Sequence, residues 1–225
     1  IILLDIKNFL SKKNYLIKNL KFITKNCQTP VSAGGGIVNI KQVEKMIRNG
    51  ADKVVINSSS YQNKNLIKES VKEFGSQAVV SAIDVKKDKK KYYLFSKSGL
   101  KKEKINIKDH LKNLQEYGAG EILINSINMD GSQEGYDYEF LKIYKELIQI
   151  PIIISGGYGN VNHIASLSKY NISGFAIGNS LHHFEHSVQL IKKKLSEIHK
   201  KSNIRFEKNY NYKLHEVNFK GRLKV

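Results

Sequence analysis

Two short runs hold the residue types that an anionic ligand would require. In the first, Ala33-Gly34-Gly35-Gly36 ends an apolar run and precedes an amphipathic one, and Asn57-Ser58 ends the next apolar run. In the second, Gly156-Gly157 and Asn179-Ser180 occupy the same places. An offset of 122 residues carries Gly34 and Gly35 onto Gly156 and Gly157, and Asn57 and Ser58 onto Asn179 and Ser180. Glycine lets backbone N–H groups come close to an oxyanion, and a helix starting just after it favours negative charge. One such turn alone is equally a tight strand-to-helix connection. The matched pair points to two phosphate cradles, Gly35, Gly36, Asn57 and Ser58 in one and Gly156, Gly157, Asn179 and Ser180 in the other. Two cradles imply a ligand with a phosphate at each end.

Three carboxylates end apolar runs or lie just beyond them: Asp5, Asp84 and Asp130. Asp84 comes directly after Val79–Ile83 and is expected between the two cradles, where it can act as general acid or base on the middle of the ligand. Asp130, in Asn128-Met129-Asp130-Gly131-Ser132, either joins that chemistry or shapes its loop through the Asp-Gly turn. Asp5 is read as structural. His182, His183 and His186 have no carboxylate or cysteine partner at ligand spacing, so no metal site is expected. The single cysteine, Cys27, cannot form an internal disulfide, and a reducing, cytoplasmic setting is expected.

Those residues require a scaffold that places them together. Apolar runs at residues 1–6, 30–33, 53–56, 78–83, 121–125, 152–154 and 174–177 read as strands. Helical periodicity lies between them at 15–26, 40–48, 66–74, 107–117, 140–147, 161–169 and 186–199. Strict alternation predicts parallel βαβ units and an α/β fold, a TIM (β/α)8 barrel. The strand at 78–83 is expected to end at Asp84, with a lysine-rich β-hairpin after it. Seven units are counted, and the 122-residue offset puts the counterpart of Asp84 ahead of Ile1. The first βα unit is therefore expected to be absent from this chain, leaving the strands at 1–6 and 174–177 as edges. Residues 1–205 are assigned to the barrel and 206–225 to a basic C-terminal extension.

The formal net charge is +18, with 38 Lys and Arg against 20 Asp and Glu. Most lysines are dispersed among isoleucine and asparagine; the denser places are 86–104 and the tail after His199. A nucleic-acid role would need one of these, and solvated surface accounts for both. No apolar run approaches the ~20 residues of a membrane span.

The strings LLDI (3–6), AGGGI (33–37), NGADKVVINS (49–58), FGSQAVVSAIDVK (74–86), GAGEILINSINMDGSQEGYD (118–137), ISGGYG (154–159) and IGNSLHHF (177–184) resemble the cyclase subunit of imidazole glycerol phosphate synthase. The resemblance runs from Ile1 to about Arg205. It implies a barrel that takes ammonia from a glutaminase (glutamine amidotransferase) subunit in a heterodimer. With that ammonia it splits a bis-phosphorylated ribulosyl aminoimidazole carboxamide nucleotide and closes the imidazole ring, without metal or organic cofactor. It makes Asp84 one of two catalytic aspartates and places one phosphate on Gly36, Asn57 and Ser58. The other falls on Gly157, Asn179 and Ser180, with Asp130 and Gly131 nearby, and Asn125 and Ser126 are implied as further substrate contacts. Lys53 and Glu121 match two members of the charged ring at the ammonia gate, and Asp52 and Gln77 match positions near the partner-facing floor.

The departures shape the expectations. The family's other catalytic aspartate lies on the first strand, so the chain as it stands is expected not to cyclise. Asn125 and Asn128 replace a usual threonine and aspartate, and Asn179 a usual small residue. The Asn-Ser pair is similar to paralogues that act with an amidotransferase to amidate a nucleotide-linked sugar in surface-polysaccharide synthesis, which stands as the alternative. A non-catalytic barrel that only docks a glutaminase is the rival from another class.

Overall fold

The structure, a computed structural model, describes residues 1–6, 15–182 and 187–198. Its elements are β1 (Ile2–Leu4), α1 (Tyr15–Asn26), β2 (Ser32–Gly34), α2 (Ile40–Arg48), β3 (Lys53–Ile56), α3 (Lys64–Phe74), β4 (Val79–Asp88), β5 (Lys91–Ser96) and β6 (Lys101–Lys102). They continue with α4 (Ile107–Glu116), β7 (Glu121–Ser126), α5 (Tyr138–Tyr144), β8 (Ile152–Ser155), α6 (Val161–Ala165), β9 (Gly174–Phe175) and α7 (Ser187–Ile198). The sheet runs β1-β2-β3-β4-β7-β8-β9, parallel throughout, with helices between successive strands. This is the strand–helix alternation of a (β/α) barrel. Among the described residues β1 pairs with β2 alone and β9 with β8 alone.

Parallel strands covered on both faces are apolar along their length, and the two faces here form two clusters. The outer face packs Val54, Ile56, Val79, Ile83, Ile122, Ile124, Ile152 and Ile154 against the helices. The inner face holds a smaller cluster of Val55, Val80, Ala82 and Leu123, with Ile2 and Ile153 packed on it. The period of two then puts every residue in step with Val55, Val80 and Leu123 on the inner face. Among those residues are Lys53, Asn57, Asp84, Glu121 and Asn125.

Several expected boundaries shift. The strand expected to end at Asp84 runs on to Asp88, because β5 takes over as antiparallel partner from Asp84↔Phe95 to Asp88↔Lys91. The expected helix at 161–169 stops at Ala165 and ends in a 3-10 turn at Ser168–Tyr170, closed by Asn171 in the left-handed region. The helix expected at 140–147 becomes α5 at Tyr138–Tyr144, started by the Asp137 cap, and a 3-10 turn at Lys145–Leu147. The strand at 1–6 shortens to Ile2–Leu4. The extension 206–225 lies outside the described residues.

The hairpin is bound to the barrel by a buried carboxylate. Tyr92 Oη donates to Asp137 Oδ1 at 2.6 Å, Ser126 Oγ to Oδ2 at 2.8 Å, and the Phe140 N–H to Oδ1 at 3.0 Å. Asn128 adds a second tie, accepting from the Lys87 N–H at 2.7 Å and donating to the Lys87 carbonyl at 3.2 Å. Asp137→Ala removes a helix cap and leaves three donors without their acceptor, so urea denaturation should show a loss of about 3 kcal/mol or more. Tyr92→Phe, which removes one hydrogen bond to a charged group, should cost about 1.5–3 kcal/mol.

Candidate functional site

The seven parallel strands of the described residues end at one edge. Asp84 projects from β4, the fourth strand in the sheet order. The turn with Gly35 and Gly36 comes after β2, two strands away, and the turn with Gly156 and Gly157 comes after β8, two strands away on the other side. The sheet therefore places Asp84 midway between the two glycine turns in strand order.

The half-buried carboxylate is held by two carboxamides. Asn57 Nδ2 donates to Asp84 Oδ2 at 2.8 Å, and Asn125 Nδ2 donates to Oδ1 at 3.1 Å. Burial pushes the Asp84 carboxyl above the ordinary aspartate value; the two amide donors oppose this, and the nearby charge of Asp130 adds to it. Asn57 is expected from sequence at a phosphate, but its amide nitrogen is committed to Asp84, and its Oδ1 is buried without a partner.

The glycine turns are set by close backbone contacts. Gly35 has φ +112°, and a Cβ there would lie 2.3 Å from the Asp5 carbonyl oxygen. Asp5 thus serves the turn through its backbone, its N–H donating to the Gly34 carbonyl at 2.9 Å. Gly36 is exposed with φ +65°. At Gly157, φ +100°, a Cβ would meet the Gly135 carbonyl oxygen at 1.8 Å, and the Gly135 N–H donates to the Gly157 carbonyl at 2.8 Å. Gly156 has φ +91° and packs on the Ser126 carbonyl and the Asp130 backbone. Gly131, φ +76°, faces open space beside the exposed Asp130.

The turn after β3 is Ser58–Tyr61. Ser58 Oγ accepts the Lys97 N–H from the hairpin at 2.9 Å, and Ser59 Oγ donates to the Ile37 carbonyl, joining this turn to the one after β2. Sequence reasoning missed the pair beneath it, Tyr61 and His110, stacked with centroids 4.4 Å apart. Burial lowers the His110 pKa to about 4, so the ring is neutral at physiological pH. In the second cassette Asn179 is exposed, and the buried Ser180 donates its hydroxyl to the Tyr158 carbonyl at 3.0 Å. His182 is exposed in the turn Asn179–His182; His183 and His186 lie outside the described residues.

Ser126 stands apart from the other expected ligand contacts. The resemblance puts it against the ligand, but it is out of step with Leu123 and Asn125, and its buried hydroxyl is spent on Asp137 on the helix side of the sheet. Strand parity alone carries that signal. At the opposite end of the inner face Lys53 and Glu121 form an ion pair, both half-buried. Asp52 Oδ2 accepts the Val31 N–H at 2.7 Å, and Gln77 Nε2 donates to the Phe74 carbonyl at 3.2 Å. A surface groove of about 830 Å³ beside the hairpin, with Lys90, Lys91, Lys102 and Lys104 on its walls, includes neither Asp84 nor the glycine turns. No described helix is long and apolar enough to cross a membrane.

A family model described as histidine biosynthesis protein matches residues 1–187. Imidazole glycerol phosphate synthase subunit HisF of Sulfolobus acidocaldarius is 39% identical over 178 residues, 79% of this chain and 72% of that protein. The subunit of the same name from Petrotoga mobilis is 36% identical over 200 residues, 88% of this chain and 79% of that one. That from Staphylococcus epidermidis is 34% identical over the same shares.

The raised carboxyl fixes the sign of a stability effect. Between the ordinary aspartate value and the raised folded one, the folded state binds more protons than the unfolded, so Asp84 costs stability as pH rises through that window. The unfolding free energy of Asp84→Asn relative to the native chain should therefore shift in favour of the variant from about pH 4 upward and then level off. Parallel denaturation series at stepped pH check this; a difference that does not change with pH would contradict it.

Proposed function

The chain belongs to the histidine biosynthesis protein family, and we propose on that premise that it is the cyclase barrel of an imidazole glycerol phosphate synthase. It would use ammonia to split a bis-phosphorylated ribulosyl aminoimidazole carboxamide nucleotide and form imidazole glycerol phosphate, as a cytoplasmic step of histidine biosynthesis. The observation that carries this reading is the place of Asp84, on the inner face and midway between the two glycine turns. A ligand held at both ends by those turns has its middle over one carboxylate. Fixing the two ends there would orient the reacting centre toward Asp84 and the incoming ammonia, the positioning from which rate is gained.

Asp84 would take a proton from the nitrogen of the attacking ammonia and return one to the leaving amine. Gly36, Ser58 and the neighbouring amides would bind one phosphate; Gly157, Gly131, Asn179 and Ser180 would border the other, with Asp130 beside it. No step requires a metal or an organic cofactor.

Ammonia would reach the site from the other end of the inner face. Lys53 and Asn57 are four residues apart along the β3 segment, a rise of about 13 Å. Between the Lys53–Glu121 pair and Asp84 the inner face presents Val55, Val80, Ala82 and Leu123. Such a lining admits neutral ammonia and disfavours ammonium, which would have to shed its hydration. The source would be a glutaminase partner docked at the Lys53–Glu121 end. The relatives are named as subunits, in keeping with a partner.

In the enzyme carrying this chain, Asp84→Asn should reduce ammonia-dependent formation of imidazole glycerol phosphate by at least about 100-fold. Unchanged turnover would remove Asp84 from the acid–base chemistry. Glu121→Ala should impair glutamine-dependent turnover more than turnover on free ammonia, because it alters the gate and not the carboxylate. Equal losses in the two assays would remove Glu121 from the ammonia path.

A further inference from the structure

We propose that Asn57 and Asn125 are positioning residues that act through Asp84, a two-sided carboxamide clamp that fixes the plane of its carboxylate and biases it toward the proton-accepting form. The reading deepens the proposed function above and rests on Asp84 being its acid–base group.

Each Asp84 oxygen accepts one amide N–H, from opposite neighbours in the sheet: Asn57 stands directly after β3, and β7 carries Asn125. Parallel registry makes the arrangement structural. Asp84 is the Cα partner of Asn125, and Ile56, the residue before Asn57, is the partner of Ser81. A carboxylate has about four lone-pair positions. The clamp uses one on each oxygen and leaves the others for substrate. Torsion about the Cβ–carboxyl bond, ordinarily broad, would break both bonds at once.

A carboxamide donor has no titratable proton, so the clamp keeps its polarity at any working pH. It favours the carboxylate, since a protonated oxygen accepts hydrogen bonds less well. Among the described residues the charged and titratable groups around Asp84 are few. Asp130, in the loop after β7, opposes ionisation, and the buried phenol of Tyr61, in the turn after β3, interacts with it. Lys86, two residues along the same strand, lies over the Phe95 ring at 5.8 Å. Among the described residues no lysine or arginine forms an ion pair with Asp84. With no cation in direct contact, the two amides are the direct hydrogen-bond support of its charge.

Where the resembled pattern has threonine, Asn125 supplies the amide that reaches Oδ1.

The test is a titration of the Asp84 carboxyl by carbon-13 NMR in the full chain without substrate. Asn125→Val, which keeps a branched side chain but no donor, should raise the midpoint by about one to two units. Asn125→Thr, which restores a donor, should stay within about half a unit of the native midpoint. Should Asn125→Val not fold, Asn57→Ala removes the other donor and is read in the same way. Asn128→Ala, which loosens the hairpin without touching Asp84, should leave the midpoint in place. A native midpoint in the donorless variants, or an equal rise in Asn128→Ala, would overturn the clamp. In the active enzyme the acidic limb of kcat/KM should move with the NMR midpoint. Because the titration needs no substrate, the clamp can fail while the cyclase assignment stands, and an active Asp84→Asn enzyme would remove the acid–base role of Asp84 on which the clamp's function rests even where the titration shows its hydrogen bonds.

Discussion

Parallel pairing with small register offsets is the constraint behind every other feature of this molecule. Strands that all run one way must all finish at one edge, so the residues just past their ends meet whether or not they are near in sequence. Asn57 and Asn125 lie 27 and 41 residues from Asp84, yet all three share hydrogen bonds because Val80 pairs with Val55 and with Glu121. The same direction rule sends Lys53 and Glu121 to the opposite edge. A site at one end and an inlet proposed at the other are thus consequences of one topology and need no separate explanation.

Much of this is legible in the sequence, and the reason is periodicity. Seven apolar runs separated by helical ones correspond to the seven parallel strands, and the hairpin after Asp84 is present. The part that is not legible depends on which partner a polar side chain finds. Asn57 and Ser126 both stand near strand ends and both look available to a ligand. The parity of β7 turns Ser126 outward to Asp137, while that of β3 turns Asn57 inward to Asp84. Residue type states what a group can bond, and only the sheet decides what it meets. Tyr61 and His110 escape notice for a related cause: a lone aromatic and a lone histidine have no signature until the fold stacks two rings that are distant in sequence.

The lysine-rich segment shows charge and structure serving different ends. Its composition invites a polyanion partner, yet its defined contacts are inward. Tyr92 reaches Asp137, Lys97 gives its N–H to Ser58, and Asn128 brackets Lys87. Lys97 and Ser98 take φ values of +51° and +56°, uncommon for residues with a Cβ. That conformation is kept where the hairpin tip meets the turn after β3, and Ser98 Oγ also donates to the Ile6 carbonyl at 3.3 Å. The hairpin therefore braces the ends of β1, β3 and β7 around Asp84.

The glycines separate into two kinds once their surroundings are compared. Gly35 and Gly157 have no choice: a Cβ would strike backbone atoms of Asp5 or Gly135, so packing alone accounts for them. Gly178 differs, because among the described residues a Cβ there would meet nothing within 4 Å, and its φ lies outside the range that favours glycine. It immediately precedes the exposed Asn179, just past the strand beside the Gly156-Gly157 turn. Among the described residues neither packing nor dihedral demands a glycine there, and its backbone stands exposed beside Asn179. The repeat of Gly-Gly turns is therefore weaker support for the second phosphate than Gly178, a residue outside the repeat. Under the proposed function the second phosphate would approach the exposed backbone at Gly178 and Gly131, while close packing fixes Gly156 and Gly157 in the turn beside them.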